Sequence, residues 1–202
     1  MTATWRNVKF DASVFNGREP NEHRYGVQFR SFDSSSARIT YNPTSHWSLQ
    51  LSSGRLASPE KLEPDISVRR TTASVVYDQA FTAAYWQTTV AWGRDGPSGN
   101  HQTTDGFLVD STVRYKNRHS IVARFEHVDK NELFADGQPL FGKAFLIHKL
   151  SLGYVYDVGQ YEHLRFGIGA MVSEHWIPDS LAPAYGRNPT SYTLFVRATL
   201  AP

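Results

Sequence analysis

The feature that most constrains this chain is a period of two. Val8, Phe10, Ala12 and Val14 alternate with Lys9, Asp11 and Ser13, and Ser35, Ala37, Ile39 and Tyr41 alternate with Ser36, Arg38 and Thr40. The same phase extends back to Val27 and Phe29. It recurs at Trp47–Leu51, Ala73–Tyr77, Trp86–Trp92, Phe107–Tyr115, Ile121–Phe125, Leu150–Tyr156, Leu164–Val172 and Tyr192–Leu200. A strand points successive side chains to opposite faces, whereas a helix would repeat every three to four residues. The pattern predicts an all-β, antiparallel up-and-down barrel of about ten strands, covering 1–202 as a single domain. Most runs exceed the length of about five or six residues usual in soluble proteins, and suit the roughly nine to eleven that a tilted strand needs to cross a bilayer.

The connections alternate as well. Short links fall at 42–46, 78–84, 116–118 and 157–160, and long ones at 16–23, 57–65, 95–102, 129–143 and 176–188. Outer-membrane barrels place tight turns on the periplasmic side and long loops outside. With ten strands, both termini are expected at the short-turn end.

Composition excludes the main rivals. No window approaches the eighteen or so uninterrupted apolar residues of a membrane helix. Twelve Phe, ten Tyr and five Trp are too many for a disordered chain. Twenty-one basic against nineteen acidic residues, scattered along the chain, leave no basic stripe for nucleic acid. Without cysteine there is no disulfide or thiolate site. Residues 1–7 lack the features of a signal peptide, so an outer-membrane location implies a leader that has been removed or truncated.

Aromatic residues mark the borders of the predicted strands. Tyr41 and Trp47, Tyr77 and Trp86, Tyr115, and Tyr156 and Tyr161 lie beside the short turns; Phe15, Phe29, Trp92, Phe107, Phe125, Trp176 and Tyr192 lie toward the long loops. Two such rings are expected to form the interfacial girdles of a transmembrane barrel.

The polar phase carries Lys9, Arg30, Arg38, Arg70, Arg114, Arg124, Lys149, Arg165 and Arg197 against Asp11, Asp110, Glu126 and Asp157. If these line a lumen, the excess of cations favours anions. The competing expectation is that they pair with the acids and plug it.

Catalytic and metal motifs fail on inspection. In the loop around Arg18, Glu22 and His23 are adjacent and lack a second histidine at ligand spacing. Ser58 to Lys61 reads S-x-x-K but lies in a Pro-rich loop, and Gly167-Ile-Gly169 lies within a strand. His127 and Asp129 form the one faintly suggestive pair, with no nucleophile marked beside them. No cofactor, metal or catalytic residue is expected.

The stretches FNGREPNEHR (15–24), NPTSHWSLQL (42–51), SPEKLEPDISVRRTTASVV (58–76), WQTTVAWGR (86–94), KLSLGYVYD (149–157) and AYGRNPTSYTLFVR (184–197) resemble a family of uncharacterised bacterial outer-membrane β-barrel proteins, porin-like in pattern. The resemblance implies outer-membrane location and barrel architecture but no established activity. Family members are about twice as long, with a Met- and His-rich first half, so the chain resembles a C-terminal half. The expected partners are outer-membrane lipid, the barrel-assembly machinery and small solutes if the lumen is open. The rival class is a soluble β-barrel holding an apolar small molecule inside; an outer-membrane hydrolase is a more distant one.

Overall fold

In the computed structural model, residues 1–18, 31–59, 65–99, 101–135 and 137–200 are described. They form eleven strands: β1 (Thr2–Trp5), β2 (Val8–Phe15), β3 (Ser34–Thr44), β4 (Trp47–Ala57), β5 (Ser67–Ala80), β6 (Ala84–Pro97), β7 (Thr104–Tyr115), β8 (His119–Lys130), β9 (Phe145–Tyr161), β10 (Leu164–Trp176) and β11 (Thr190–Leu200). Their order in the sheet is their order in the sequence, and every register resolved is antiparallel. Short connections at 6–7, 45–46, 81–83, 116–118 and 162–163 alternate with long ones at 16–33, 58–66, 98–103, 131–144 and 177–189.

Two expectations change, and a third lies partly outside the described residues. The strand count is eleven, because Thr2–Trp5 forms a hairpin with β2 through Arg6, whose φ is 51°. That strand runs toward the short-turn end, so Met1 lies at the long-loop end of β2, where its ammonium donates to Ala12 O at 2.8 Å. The second predicted strand starts at Ser34; its extension to Val27 and Phe29 falls outside the described residues. The last long connection is not plain loop, since Asp179–Leu181 form a 3-10 turn and Ala182–Tyr185 a short helix, α1.

The chain divides into two compact units, Met1–Val75 with Ala91–Gly106, and Val76–Val90 with Phe107–Pro202. In the first, Phe10, Val14, Ile39 and Leu51 are exposed while Ser34 is buried, its Oγ accepting from Ala57 N at 2.9 Å. In the second, Leu150, Leu152, Tyr154, Ile168 and Val172 are exposed, whereas Ser151, Ser173 and Asp157 on the opposite phase are buried. Leu152 is 50% exposed and its neighbour Ser151 is 4%. The packed face is therefore the polar one. The Ser151 and Ser173 hydroxyls, directly opposite across β9 and β10, hydrogen-bond at 2.7 Å and so satisfy each other there.

Local chemistry explains the tight turns and close packing. Lys116 and Asn117 both have positive φ (49° and 53°), and Arg118 N donates to Tyr115 O at 3.1 Å. Two consecutive left-handed residues give the type I′ geometry, whose twist matches the flanking strands. On β10, a Cβ at Gly169 would lie 2.4 Å from the Phe195 ring, so the glycine lets an aromatic from β11 lie over the bare backbone. Gly167 sits at a register irregularity, and a Cβ there would lie 2.7 Å from Asp157 Oδ1.

Candidate functional site

The polar face of the second unit carries its strongest electrostatics. Asp157 on β9 is 3% exposed and lies between two guanidiniums: Arg114 Nη2 of β7 donates to Oδ2 at 2.9 Å, and Arg197 Nη2 of β11 donates to Oδ1 at 2.6 Å. Each arginine reaches across an intervening strand, which a long side chain can do and a short one cannot. Gly167 on β10 leaves room for the carboxylate. Arg114 also donates to Asn117 O at 3.0 Å, so the triad is tied to the β7–β8 turn. One carboxylate between two guanidiniums leaves a net charge of +1. The Nε groups of both arginines are buried without a hydrogen-bond partner among the described residues, an uncompensated desolvation of about 1–3 kcal/mol each.

Other charges on this phase pair across strands or along one strand. Arg124 Nε donates to Asp110 Oδ2 at 2.8 Å, and Lys149 lies 3.4 Å from Glu126, directly opposite in the β8–β9 register. In the first unit, Lys9 pairs with Asp11 at 3.2 Å, while Thr2 Oγ1 donates to the same Asp11 carboxylate at 2.7 Å. Arg70 makes a bidentate pair with Asp95 at 2.7 and 2.6 Å. Arg38 is exposed opposite Asp11, and Arg165 is half-buried opposite Gln160. Arg30 lies outside the described residues, as do Phe29, Glu19, Glu22, His23 and Lys61.

Of the predicted aromatic positions, Tyr41, Trp47, Tyr77, Trp86, Tyr115, Tyr161, Trp176 and Tyr192 lie within about three residues of a strand end, whereas Trp92 and Phe125 lie toward the middle of β6 and β8. Tyr41, Trp47, Trp86, Phe107, Tyr115, Tyr161, Trp176 and Tyr192 are exposed; Tyr77, Trp92, Phe125 and Tyr156 are half-buried. Tyr77 and Trp86 meet edge to face at 5.3 Å, and Trp86 Nε1 donates to Ser111 Oγ at 3.0 Å. His119 joins the short-turn aromatics, packing against Tyr115, Tyr154 and Tyr156 and hydrogen-bonding the Tyr154 hydroxyl at 2.7 Å. In the first unit, Trp92 Nε1 and Arg94 both donate to Asp105, with Arg94 over the Trp92 ring at 5.6 Å. These residues combine an apolar body with a polar handle, as interfacial aromatics do.

His127 on β8 faces His148 on β9. Its Nδ1 lies 3.2 Å from Nδ1 of His148, its register partner, and His148 stacks on Phe125 on the apolar face. Among the described residues no group of three or more His, Cys, Asp or Glu side chains could hold a metal ion.

Sequence reasoning missed the fold-back of residues 177–189. Leu181 is 1% exposed, Tyr185 Oη donates to Leu133 O at 2.7 Å, and the Tyr185 and Phe134 rings meet edge to face at 6.3 Å. His175 Nδ1 lies 2.9 Å from Pro189 O; a carbonyl accepts only, so Nδ1 carries the proton. Beneath the segment is a cavity of about 540 Å³. The helix had a legible signal in Pro183 within its first turn and Gly186 after it, at φ 79°.

Eleven chains of known structure match this one. They include OpdO of Pseudomonas aeruginosa, with a TM-score of 0.59 and 15% identity, 99% of this chain aligned to 64% of that one. At this identity the likeness is one of fold. OccK8 (OprE) of the same organism matches with a TM-score of 0.56 and 12% identity over 98% of this chain and 70% of that one, and OpdL with 0.57 and 12% over 98% and 65%. These neighbours are outer-membrane porins. The chain spans about two thirds of their length. No protein-family model and no curated protein matches the sequence.

Proposed function

We propose that this chain forms part of the wall of a bacterial outer-membrane, porin-like passive channel. The observation that carries the reading is the inversion of its two faces: Leu152, Ile168 and Val172 are exposed while Ser151, Ser173 and Asp157 are buried. A soluble barrel packs its apolar face and hydrates its polar one, the opposite arrangement. Lipid is the solvent that an exposed apolar, aromatic-bordered face suits. The porin fold of the neighbours supports the same reading, as does the resemblance of the sequence to longer outer-membrane barrels. The reading gives the chain no catalytic role.

The same reading gives the lumen a weak preference for anions. Ion pairing absorbs most of the lining charge, but the Arg114–Asp157–Arg197 group keeps one positive charge and Arg38 and Arg165 add to it. Fixed positive charge along a pore lowers the barrier for anions. The test is the reversal potential of the protein in planar bilayers under a salt gradient. A modest anion selectivity is expected; cation preference overturns the selectivity, and absence of conductance overturns the channel in favour of a surface structural role. Fractionation away from outer membranes and solubility without detergent would overturn the location.

A further inference from the structure

We propose that the cavity beneath residues 177–189 is a binding site for a zwitterion with an apolar body, of the class of free amino acids and short peptides with apolar side chains. The inference does not depend on conduction, because the site lies within one compact unit and binding is read directly.

The cavity holds about 540 Å³, within the range of roughly 300–1,000 Å³ that small-molecule sites occupy. Its roof is preformed. Leu181 is fully buried, the Tyr185 hydroxyl bonds Leu133 O, and His175 bonds Pro189 O, so three separate anchors hold the segment down before any ligand arrives. Preformed walls spare a ligand the cost of ordering them. Val128, Ile147, Ile177 and Leu181 supply apolar surface.

The polar floor decides the ligand's charge. Glu126 and Lys149 stand directly opposite on β8 and β9, 3.4 Å apart. Both side chains are only about a third exposed. An ammonium has three donors and a carboxylate two acceptor oxygens, more than one contact between them uses. A ligand carrying both charges can lie head to tail against it, its carboxylate on Lys149 and its ammonium on Glu126. Lys130 and Glu132 also line the cavity and keep it charge-balanced. A monoanion would meet two glutamates there and a monocation two lysines, whereas a zwitterion opposes each charge with its complement.

The test is calorimetric titration of the full chain in detergent micelles with the dipeptide L-leucyl-L-phenylalanine. Its N-acetylated and C-amidated forms each remove one charge and keep the apolar body. One saturable site is expected, with each blocked form binding at least tenfold more weakly. Glu126→Gln is expected to abolish the discrimination against the N-acetylated form, and Lys149→Met that against the amide. Equal binding of all three probes would reduce the cavity to an apolar hollow. Tighter binding of the N-acetylated form would make it an anion site, and of the amide a cation site. Any of these outcomes overturns the proposal, as does the lack of saturable binding. The probe series on the unsubstituted chain decides the matter even if a variant fails to fold.

Discussion

The two ends of the β8–β11 segment treat the same polar face differently. At the short-turn end, Asp157 draws Arg114 and Arg197 into a closed cluster, and the space beside it is so tight that position 167 admits only glycine without displacement. At the long-loop end, the wider Glu126–Lys149 pair sits under a folded segment and leaves a cavity. Both ends carry arginine or lysine facing acid. What differs is what covers them: short turns bring only neighbouring strands together, while a long connection can fold back and enclose volume. Charge content alone therefore does not distinguish a plugged region from a receptive one.

This contrast can be broken from either side. Asp157→Ala leaves two guanidiniums facing each other without their carboxylate, and should lower stability in urea unfolding of the folded protein by about 3 kcal/mol, at the low end for a broken buried pair because both arginines are a third exposed. Leu181→Ala should cost about 2–3 kcal/mol, but locally, read as faster amide exchange in 177–189 with the Asp157 end unchanged. The two changes should add within about 0.5 kcal/mol if the ends are independent, and a larger coupling energy would erase the distinction. Gly167→Ala should cost about 1–3 kcal/mol by pushing the Asp157 carboxylate off its arginines, and should show little further loss when Asp157 is already alanine. Tyr185→Phe removes one hydrogen bond to Leu133 O and should cost about 1 kcal/mol, seen as earlier proteolytic cutting within 177–189. Arg124→Gln, in a half-exposed pair with Asp110, should change stability by less than about 1 kcal/mol.

Much of the architecture was legible. The period-two runs placed ten of the eleven strands, and the alternation of short and long connections survives in the structure, because side-chain direction and turn length are local properties of the chain. β1 escaped because TATW is only four residues long and its turn depends on Arg6 adopting a left-handed conformation that no glycine or asparagine at that position announces. The predicted partners of the cations were legible only in part. Opposite charges in register, such as Glu126 and Lys149, follow from strand pairing, but Arg114 and Arg197 each reach Asp157 across a strand, and sequence spacing does not show that.

The sequence by itself determined the strands, their two unlike faces and the alternation of the connections, since each follows from residue type and spacing along the chain. The tertiary structure alone decided which face is packed. Alternation is symmetric, and only the burial of Ser151 and Asp157 beside exposed Leu152 breaks that symmetry. It also decided that residues 177–189 fold onto the polar face. One leucine in a Pro-rich connection has no periodic signal, and its burial depends on neighbours that are distant in sequence, including Leu133 and Phe134.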